Sequence, residues 1–136
     1  MFLSVFGQQR FYIDSIIEKQ PYITGKINYY QETDRNKVTT ILVDKINKTI
    51  TEYIRAISGL DGSWRRNIPI PTDPIHLSYF VLSILQIKPA EKQHLLEIQS
   101  VIIRLNMELK IIERESKMIR ELLGSNKILT KRFHKN

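Results

Sequence analysis

The sequence predicts an α+β fold that is mostly α, in which short N-terminal antiparallel β-strands precede a helical bundle ending in a long C-terminal helix. Two observations carry this prediction. Residues 7–30 read as two strands joined at Gln20-Pro21, and from residue 34 onward apolar residues recur at steps of three and four, the spacing of one helical face. A chain of 136 residues with 42% hydrophobic content can bury one core of ordinary size.

The N-terminal strands lack an obvious partner. Because a lone two-stranded hairpin is marginally stable in water, they need a further segment, another chain or the helices of this chain beside them. We interpret residues 1–31 as the remnant of a β-subdomain and expect residues 2–6 to form a further strand. The unpaired edge predicts self-association through the N-terminal strands.

Three residues of these strands are expected to serve the fold, namely Arg10, Phe11 and Tyr29. We expect Phe11 and Tyr29 on the inward face, where Phe11→Ala would cost about 3–5 kcal/mol, as for a buried aromatic side chain.

Residues 34–124 predict the helical bundle. Asp34 is the expected N-cap of a first helix that ends at Ser58-Gly59, and a Pro- and Gly-containing loop follows it. Thr72-Asp73-Pro74 indicates the start of a second helix, which should be the most buried one. Lys88-Pro89 ends that helix and begins a short third one.

The last helix carries apolar residues at alternating steps of four and three from Ile98 to Leu123 and is expected to stop at Gly124. This spacing favours packing inside the bundle over an intermolecular coiled coil. Arg104 and Glu108 form an i,i+4 pair that we place on a solvated face. Residues 125–136 are interpreted as a basic tail.

Charge and composition narrow the function classes. The formal charge is +7, but four of the positive charges lie beyond Glu121, at Lys127, Lys131, Arg132 and Lys135, so nucleic acid is not the favoured partner. The chain has no cysteine, and its apolar runs are far shorter than the roughly 20 residues that span a bilayer. We therefore expect a cytoplasmic protein without a membrane segment.

Catalytic and cofactor-binding patterns are missing from the sequence. It contains no phosphate-binding loop, no nucleophile elbow and no H-E-x-x-H pair, and His76 and His94 are expected to be boundary residues of apolar helices. Acidic residues such as Glu108 are expected to remain ionised among basic neighbours, which suits them poorly to general acid catalysis. The sequence thus predicts a protein that is no enzyme on its own and needs neither cofactor nor metal.

Two segments of the chain carry a resemblance. The first reads Gly7-Gln8-Gln9-Arg10-Phe11 and then Pro21-Tyr22-Ile23-Thr24-Gly25-Lys26-Ile27-Asn28-Tyr29. The second reads Asp73-Pro74-Ile75-His76-Leu77-Ser78-Tyr79 and continues through Glu91-Lys92-Gln93-His94-Leu95-Leu96-Glu97 to Arg104-Leu105. In this order they resemble the motifs G-x-x-R-F, P-Y-L-x-G/A-x-V-x-Y, D-P-x-x-L-s-y, a-E-K-Q-x-L-L-E and x-x-R-L of the N-terminal, substrate-binding domain of Lon proteases and its stand-alone relatives.

The resemblance implies a β-rich subdomain followed by a helical bundle, acting as a recognition module that delivers unfolded or tagged proteins to the ATPase and Ser-Lys protease parts of Lon. This sequence contains neither of those parts, and it lacks the leading strands that precede the Gly-x-x-Arg-Phe segment in the family. The expected partners are therefore exposed apolar segments of unfolded or tagged polypeptides.

The candidate polypeptide-binding residues are three aromatic side chains near strand edges or in a loop, namely Tyr12, Tyr22 and Trp64. Two other classes of function stay open. A small nucleic-acid-associated protein would use Arg65-Arg66 and the basic tail, and its binding would weaken steeply with salt. A structural helical adaptor would instead pair with another chain through the seam from Ile98 to Leu123.

Overall fold

The structure is a computed structural model that describes residues 3, 7, 9–19, 21–61 and 68–133. For residues 18, 19, 60, 61 and 125–133 it describes the backbone only. A two-stranded antiparallel sheet is followed by a 3₁₀ turn and four α-helices, which confirms the predicted α+β, mostly α fold. The elements are β1 (Phe11–Lys19), β2 (Tyr22–Tyr29), the 3₁₀ turn (Arg35–Lys37), α1 (Thr40–Asp61), α2 (Pro74–Ile84), α3 (Pro89–Glu97) and α4 (Val101–Phe133).

The starts of the helices follow their capping chemistry, with one correction. The carboxylate of Asp73 accepts hydrogen bonds from the backbone N–H groups of Ile75 and His76, both at 3.1 Å, and Pro74 follows it, as predicted for α2. Asp34 is not the N-cap of α1. It adopts a left-handed conformation with φ 60° ahead of the 3₁₀ turn, so its side chain is not aimed at the first turn of α1.

The core lies among α1, α2 and α4, with α3 packed against α4. Its buried apolar residues are Ile46, Ile50, Tyr53, Leu77, Val81, Leu82, Leu85, Leu95, Val101, Leu105, Leu109, Ile111 and Ile112. Three of these, Leu105, Leu109 and Ile112, belong to the predicted seam of α4, which confirms that the seam packs inside the bundle. Because the seam is occupied in this way, the helical adaptor loses the surface that it would need.

The helix α4 is longer than predicted. It continues through Gly124 to Phe133, so the expected stop at Gly124 is wrong. Gly124 does not take up the positive φ of a C-terminal cap, and a glycine inside a helix costs only about 1 kcal/mol relative to alanine. Within the described residues, no helix is both long and apolar enough to cross a membrane.

The hairpin confirms the predicted strand pair but not the predicted burial. β1 and β2 pair antiparallel from Phe11 opposite Tyr29 to Lys19 opposite Tyr22. Phe11 is 50% exposed and Tyr29 is 53% exposed, so their expected inward orientation is wrong: the described residues leave this face uncovered. Of the predicted strand at residues 2–6, only Leu3 is described, and it lies in no strand.

Candidate polypeptide-binding surface

The two faces of the hairpin differ in chemistry. Residues paired across antiparallel strands share a face, and successive residues alternate between faces. One face, called here the apolar hairpin face, carries six apolar residues, Phe11, Ile13, Ile16, Ile23, Ile27 and Tyr29, together with Gly25 and, opposite Ile23 near the turn, Glu18. The other, called the mixed face, carries Tyr12, Asp14, Ser15, Ile17, Lys19, Tyr22, Thr24, Lys26 and Asn28.

A β-bulge produces this separation. The register shifts between Ile13 and Ser15, so that Asp14 is an extra residue and Lys26 lies opposite Ser15. The Asp14 carboxylate lies 3.8 Å from the Lys26 ammonium, which places Asp14 on the mixed face. Because of the extra residue, Ile16 rather than Ser15 follows Ile13 on the apolar hairpin face.

The six apolar side chains of the apolar hairpin face are all exposed. Their exposed fractions range from 39% to 75%. Taking about 200 Å² for each fully exposed side chain of this size, the face presents roughly 600–700 Å² of surface that is largely apolar. A typical monomer has a largest apolar patch of about 300–600 Å², and patches at or above that size mark interaction sites.

The structure places two of the three predicted binding residues on the mixed face, at its two ends. Tyr12 lies near the helical bundle, where its ring meets the Tyr30 ring edge-on with centroids 5.3 Å apart. Tyr22 is 70% exposed and lies opposite Lys19, beside the turn. Six register steps separate them, about 20 Å along the strand. Trp64, the third predicted residue, lies outside the described residues.

Arg10 joins the hairpin to the helices. Its guanidinium donates to the Glu32 carboxylate at 2.7 Å and to the carbonyl oxygens of Ile98, at 3.0 Å, and Leu96. It also lies 5.3 Å from the centroid of the Tyr30 ring. The connection after β2 is held in addition by two backbone hydrogen bonds at residue 33, one on each side of a bridge to residue 100.

Glu32 connects Arg10 to a second, fully buried arginine. Arg104 donates to the other oxygen of the Glu32 carboxylate at 3.1 Å and to the Ile98 carbonyl at 2.7 Å. Tyr79 lies between the two arginines, with the Arg104 guanidinium 5.2 Å from its ring centroid, and its hydroxyl donates to Glu32. Burial, and then the Glu32 carboxylate, raises the pKa of Tyr79, which keeps the hydroxyl protonated as a donor.

Glu108 extends this network into the bundle and corrects the prediction of a solvated Arg104–Glu108 pair. Both side chains are fully buried, and they are linked through Ser78, whose hydroxyl accepts from Arg104 at 2.6 Å and donates to Glu108 at 2.6 Å. The second carboxylate oxygen of Glu108 has no hydrogen-bond partner among the described residues. Burial raises the pKa of Glu108 to about 8, although the Ser78 hydrogen bond and Arg104 oppose the rise.

We call this set of residues the hairpin–bundle joint; it comprises Arg10, Glu32, Ser78, Tyr79, Arg104 and Glu108. The polar groups of these side chains are hydrogen-bonded to one another. The described residues contain no group of three or more His, Cys, Asp or Glu side chains that could hold a metal ion. The joint therefore fixes the hairpin in place, and the apolar hairpin face is the surface left available for a partner.

Sequence reasoning missed both the joint and most of that face. The signal for the joint was the resemblance itself, since its motifs contain Arg10, Ser78, Tyr79 and Arg104.

The chain matches a known protein family. The family described as the ATP-dependent protease La (LON) substrate-binding domain matches residues 2–114 of the 136. No curated protein matches the chain. The family match covers the hairpin, the joint and most of the bundle, so the chain belongs to the Lon substrate-binding domain family, as its motifs indicated.

Proposed function

We propose that this protein is a non-catalytic recognition module that binds exposed apolar segments of unfolded or tagged polypeptides and presents them for ATP-dependent proteolysis. The family supports substrate recognition of the Lon type. The observation that carries the proposal for this chain is the apolar hairpin face, which stands exposed on a hairpin that is fixed to a helical bundle. A cytoplasmic location remains part of the proposal.

The chemistry of the hairpin suits a tolerant binder of polypeptide. Apolar contact is non-directional, so a face of isoleucine and aromatic side chains accepts many sequences provided that they are apolar. The described sheet has only two strands, so each strand has an outer edge whose backbone groups can pair with an extended segment. Tyr22 at the turn and Tyr12 near the bundle would add aromatic contacts from the other side, and Trp64 would add one from the loop.

Two isoleucines of nearly equal exposure provide the test. Ile23 on the apolar hairpin face is 75% exposed, and Ile41 on α1 is 78% exposed. We would measure binding of a fluorescently labelled, permanently unfolded polypeptide, reduced and carboxymethylated lactalbumin, by fluorescence anisotropy. Ile23→Lys should weaken binding about tenfold or more, because it puts a charge into an apolar contact, whereas the matched Ile41→Lys should leave it unchanged.

Salt dependence separates this proposal from nucleic-acid binding. Apolar binding should change less than about twofold when salt rises from about 0.05 to about 0.2 M, whereas binding through several phosphate contacts falls by orders of magnitude. Arg65-Arg66 and the side chains of the basic tail, on which the nucleic-acid alternative depends, lie outside the described residues. Equal affinity of Ile23→Lys and the native protein would refute the proposed surface.

Absence of catalysis is the other half of the proposal. We expect the purified protein to hydrolyse neither ATP nor casein, because its family is the non-catalytic, substrate-binding part of the protease. Turnover that copurifies with the chain and disappears on a single substitution in it would contradict this expectation.

A further inference from the structure

Gly25 interrupts the apolar hairpin face with a position that has no side chain. It lies on β2, directly opposite Ile16 of β1, and it is exposed. Its neighbours on the same face, along β2 and across on β1, are four isoleucines, namely Ile13, Ile16, Ile23 and Ile27. All four are exposed, so the gap that they surround opens toward solvent. We call this hollow the isoleucine socket.

The β-bulge shapes the floor of the isoleucine socket. A Cβ at Gly25 would lie 3.2 Å from the Ser15 carbonyl oxygen and 3.5 Å from Cγ2 of Ile13. The first of these contacts is tight, so a larger residue would have to push against the backbone of the bulge. Glycine permits this close approach of the two strands. The same residue that fits the bulge therefore leaves the socket empty of a side chain belonging to the hairpin.

The walls of the socket are stiff and are spaced for one side chain. Isoleucine branches at Cβ, which restricts the rotation of its side chain. Ile23 and Ile27 are four residues apart on an extended strand, about 13 Å between their Cα atoms, and same-face positions on a strand recur about every 6.7 Å. The gap between them thus has the width of one side-chain position. A single side chain from outside the hairpin can fill it.

We propose that the isoleucine socket holds one leucine or phenylalanine side chain of a bound polypeptide, and that this contact selects the segments that the protein binds. This inference rests on the proposed function and names the specificity of the same surface. The walls of the socket are aliphatic, so a charged occupant would lose water without gaining a partner. Alanine is too short to touch the walls, whereas a larger apolar side chain gains both burial and close contacts there.

The socket also defines the spacing of a suitable segment. When an extended polypeptide lies on the apolar hairpin face, every second side chain points toward that face. A suitable segment has a leucine or phenylalanine for the socket and further apolar residues two positions before and after it, which would lie on the neighbouring isoleucines. Small differences at such a site are selective, since one methylene group in an apolar pocket changes affinity by about tenfold or more.

A guest series in one host peptide tests the socket. The host is a fluorescently labelled peptide in which serine and valine alternate on either side of one central guest residue, which is alanine, leucine or phenylalanine. We would measure the dissociation constant of each peptide from the full chain by fluorescence anisotropy. The native protein should bind the leucine and phenylalanine peptides at least about tenfold more tightly than the alanine peptide, because the larger guests bury more apolar area.

Two adjacent isoleucines and Gly25 supply the variants. Ile16→Ala removes one wall of the socket and should reduce the preference for the larger guests at least about threefold, whereas Ile17→Ala, on the mixed face, should leave it unchanged. Gly25→Ala puts a methyl group on the floor and should reduce the preference for phenylalanine by a similar factor. The preference is a ratio of affinities, so a general weakening of the hairpin, which affects all three peptides alike, does not imitate this result.

Two results would overturn the socket: equal binding of the three peptides by the native protein, or an equal change of preference in Ile16→Ala and Ile17→Ala. The labelled lactalbumin distinguishes this failure from failure of the proposed function. If lactalbumin binds and Ile23→Lys weakens its binding while the guests stay indistinguishable, the proposed surface stands and the socket is refuted. If neither lactalbumin nor any guest peptide binds, the proposed function itself fails, and the socket fails with it.

Discussion

Replacement of Glu108 by glutamine tests the buried end of the hairpin–bundle joint. The Glu108 carboxyl is fully buried, and its pKa rises from 4.5 to about 8 on folding. Between these two pH values the folded chain holds a proton that the unfolded chain releases, so the free energy of unfolding falls as the pH rises. Glutamine can still accept the hydrogen bond from Ser78, but it has no proton to release.

The size of the effect follows from the difference between the folded and unfolded pKa of Glu108. A tenfold change in an acid dissociation constant corresponds to about 1.4 kcal/mol, so ionisation of Glu108 lowers the free energy of unfolding by at most about 5 kcal/mol between pH 4.5 and pH 8. Below pH 4.5 the carboxyl is protonated in both states and no penalty remains. The stability advantage of Glu108→Gln over the native protein should therefore be small near pH 4.5, grow by several kcal/mol up to pH 8, and stay constant above that value.

Urea unfolding followed by far-UV circular dichroism at a series of pH values measures this difference directly. The matched control is Glu113→Gln, because Glu113 lies on the same helix but is half exposed and pairs with Lys45 at 3.3 Å. An exposed pair contributes about 0–1 kcal/mol, so the control should run parallel to the native protein. A constant difference between Glu108→Gln and the native protein across the pH range would show that Glu108 ionises normally. If the free energy of unfolding of the native protein instead increased relative to that of the variant as the pH rises, the attraction of the Glu108 carboxylate to Arg104 would outweigh the cost of its burial.

Three further predictions concern stability, and each is checked by urea unfolding at fixed pH. Arg104→Leu should cost about 3–5 kcal/mol, because it leaves the largely buried Glu32 carboxylate with one arginine fewer; a cost below about 1 kcal/mol would contradict this role. Asp73→Ala should cost about 1–2 kcal/mol through loss of the α2 cap, whereas Asp44→Ala on the exposed surface of α1 should fall within about 0.5 kcal/mol of zero. Phe11→Ala should cost the monomer less than about 1.5 kcal/mol, because the ring is half exposed; a loss of 3–5 kcal/mol would mean that the face is covered.

Local chemistry explains which parts of the fold could be predicted. Asp73 followed by Pro74 fixes the start of α2 whatever surrounds it, and the spacing of Leu105, Leu109 and Ile112 identifies the buried seam of α4. Glu108 could not be placed in the same way. As an i,i+4 partner of Arg104 it resembles any surface pair, and its burial depends on tertiary packing, which brings Ser78 of α2 within 2.6 Å of its carboxylate.

The proposed binding surface could not be predicted for a related reason. Strict alternation from Phe11 puts Ser15 on the same face as Ile13, whereas the bulge at Asp14 moves Ile16 there instead. No local propensity specifies that extra residue. The predicted aromatic residues Tyr12 and Tyr22 lie on the mixed face, and the larger apolar surface is on the opposite side of the strands.

The position of the joint and the exposure of the apolar hairpin face both follow from the alternation of side chains between the two faces of the strands. Arg10 and Tyr30 lie side by side on the mixed face, where Arg10 is held by Glu32 and by carbonyl oxygens of the helical bundle. Their neighbours Phe11 and Tyr29 must then point to the other side. If the hairpin shifted by one residue relative to the bundle, its apolar side chains would turn toward the helices. The same shift would pull Arg10 away from the Glu32 carboxylate that it shares with Arg104, which would cost the pairing of a largely buried charge. The buried charges of the joint thus keep the apolar hairpin face turned away from the helices, as the proposed binding of polypeptide requires.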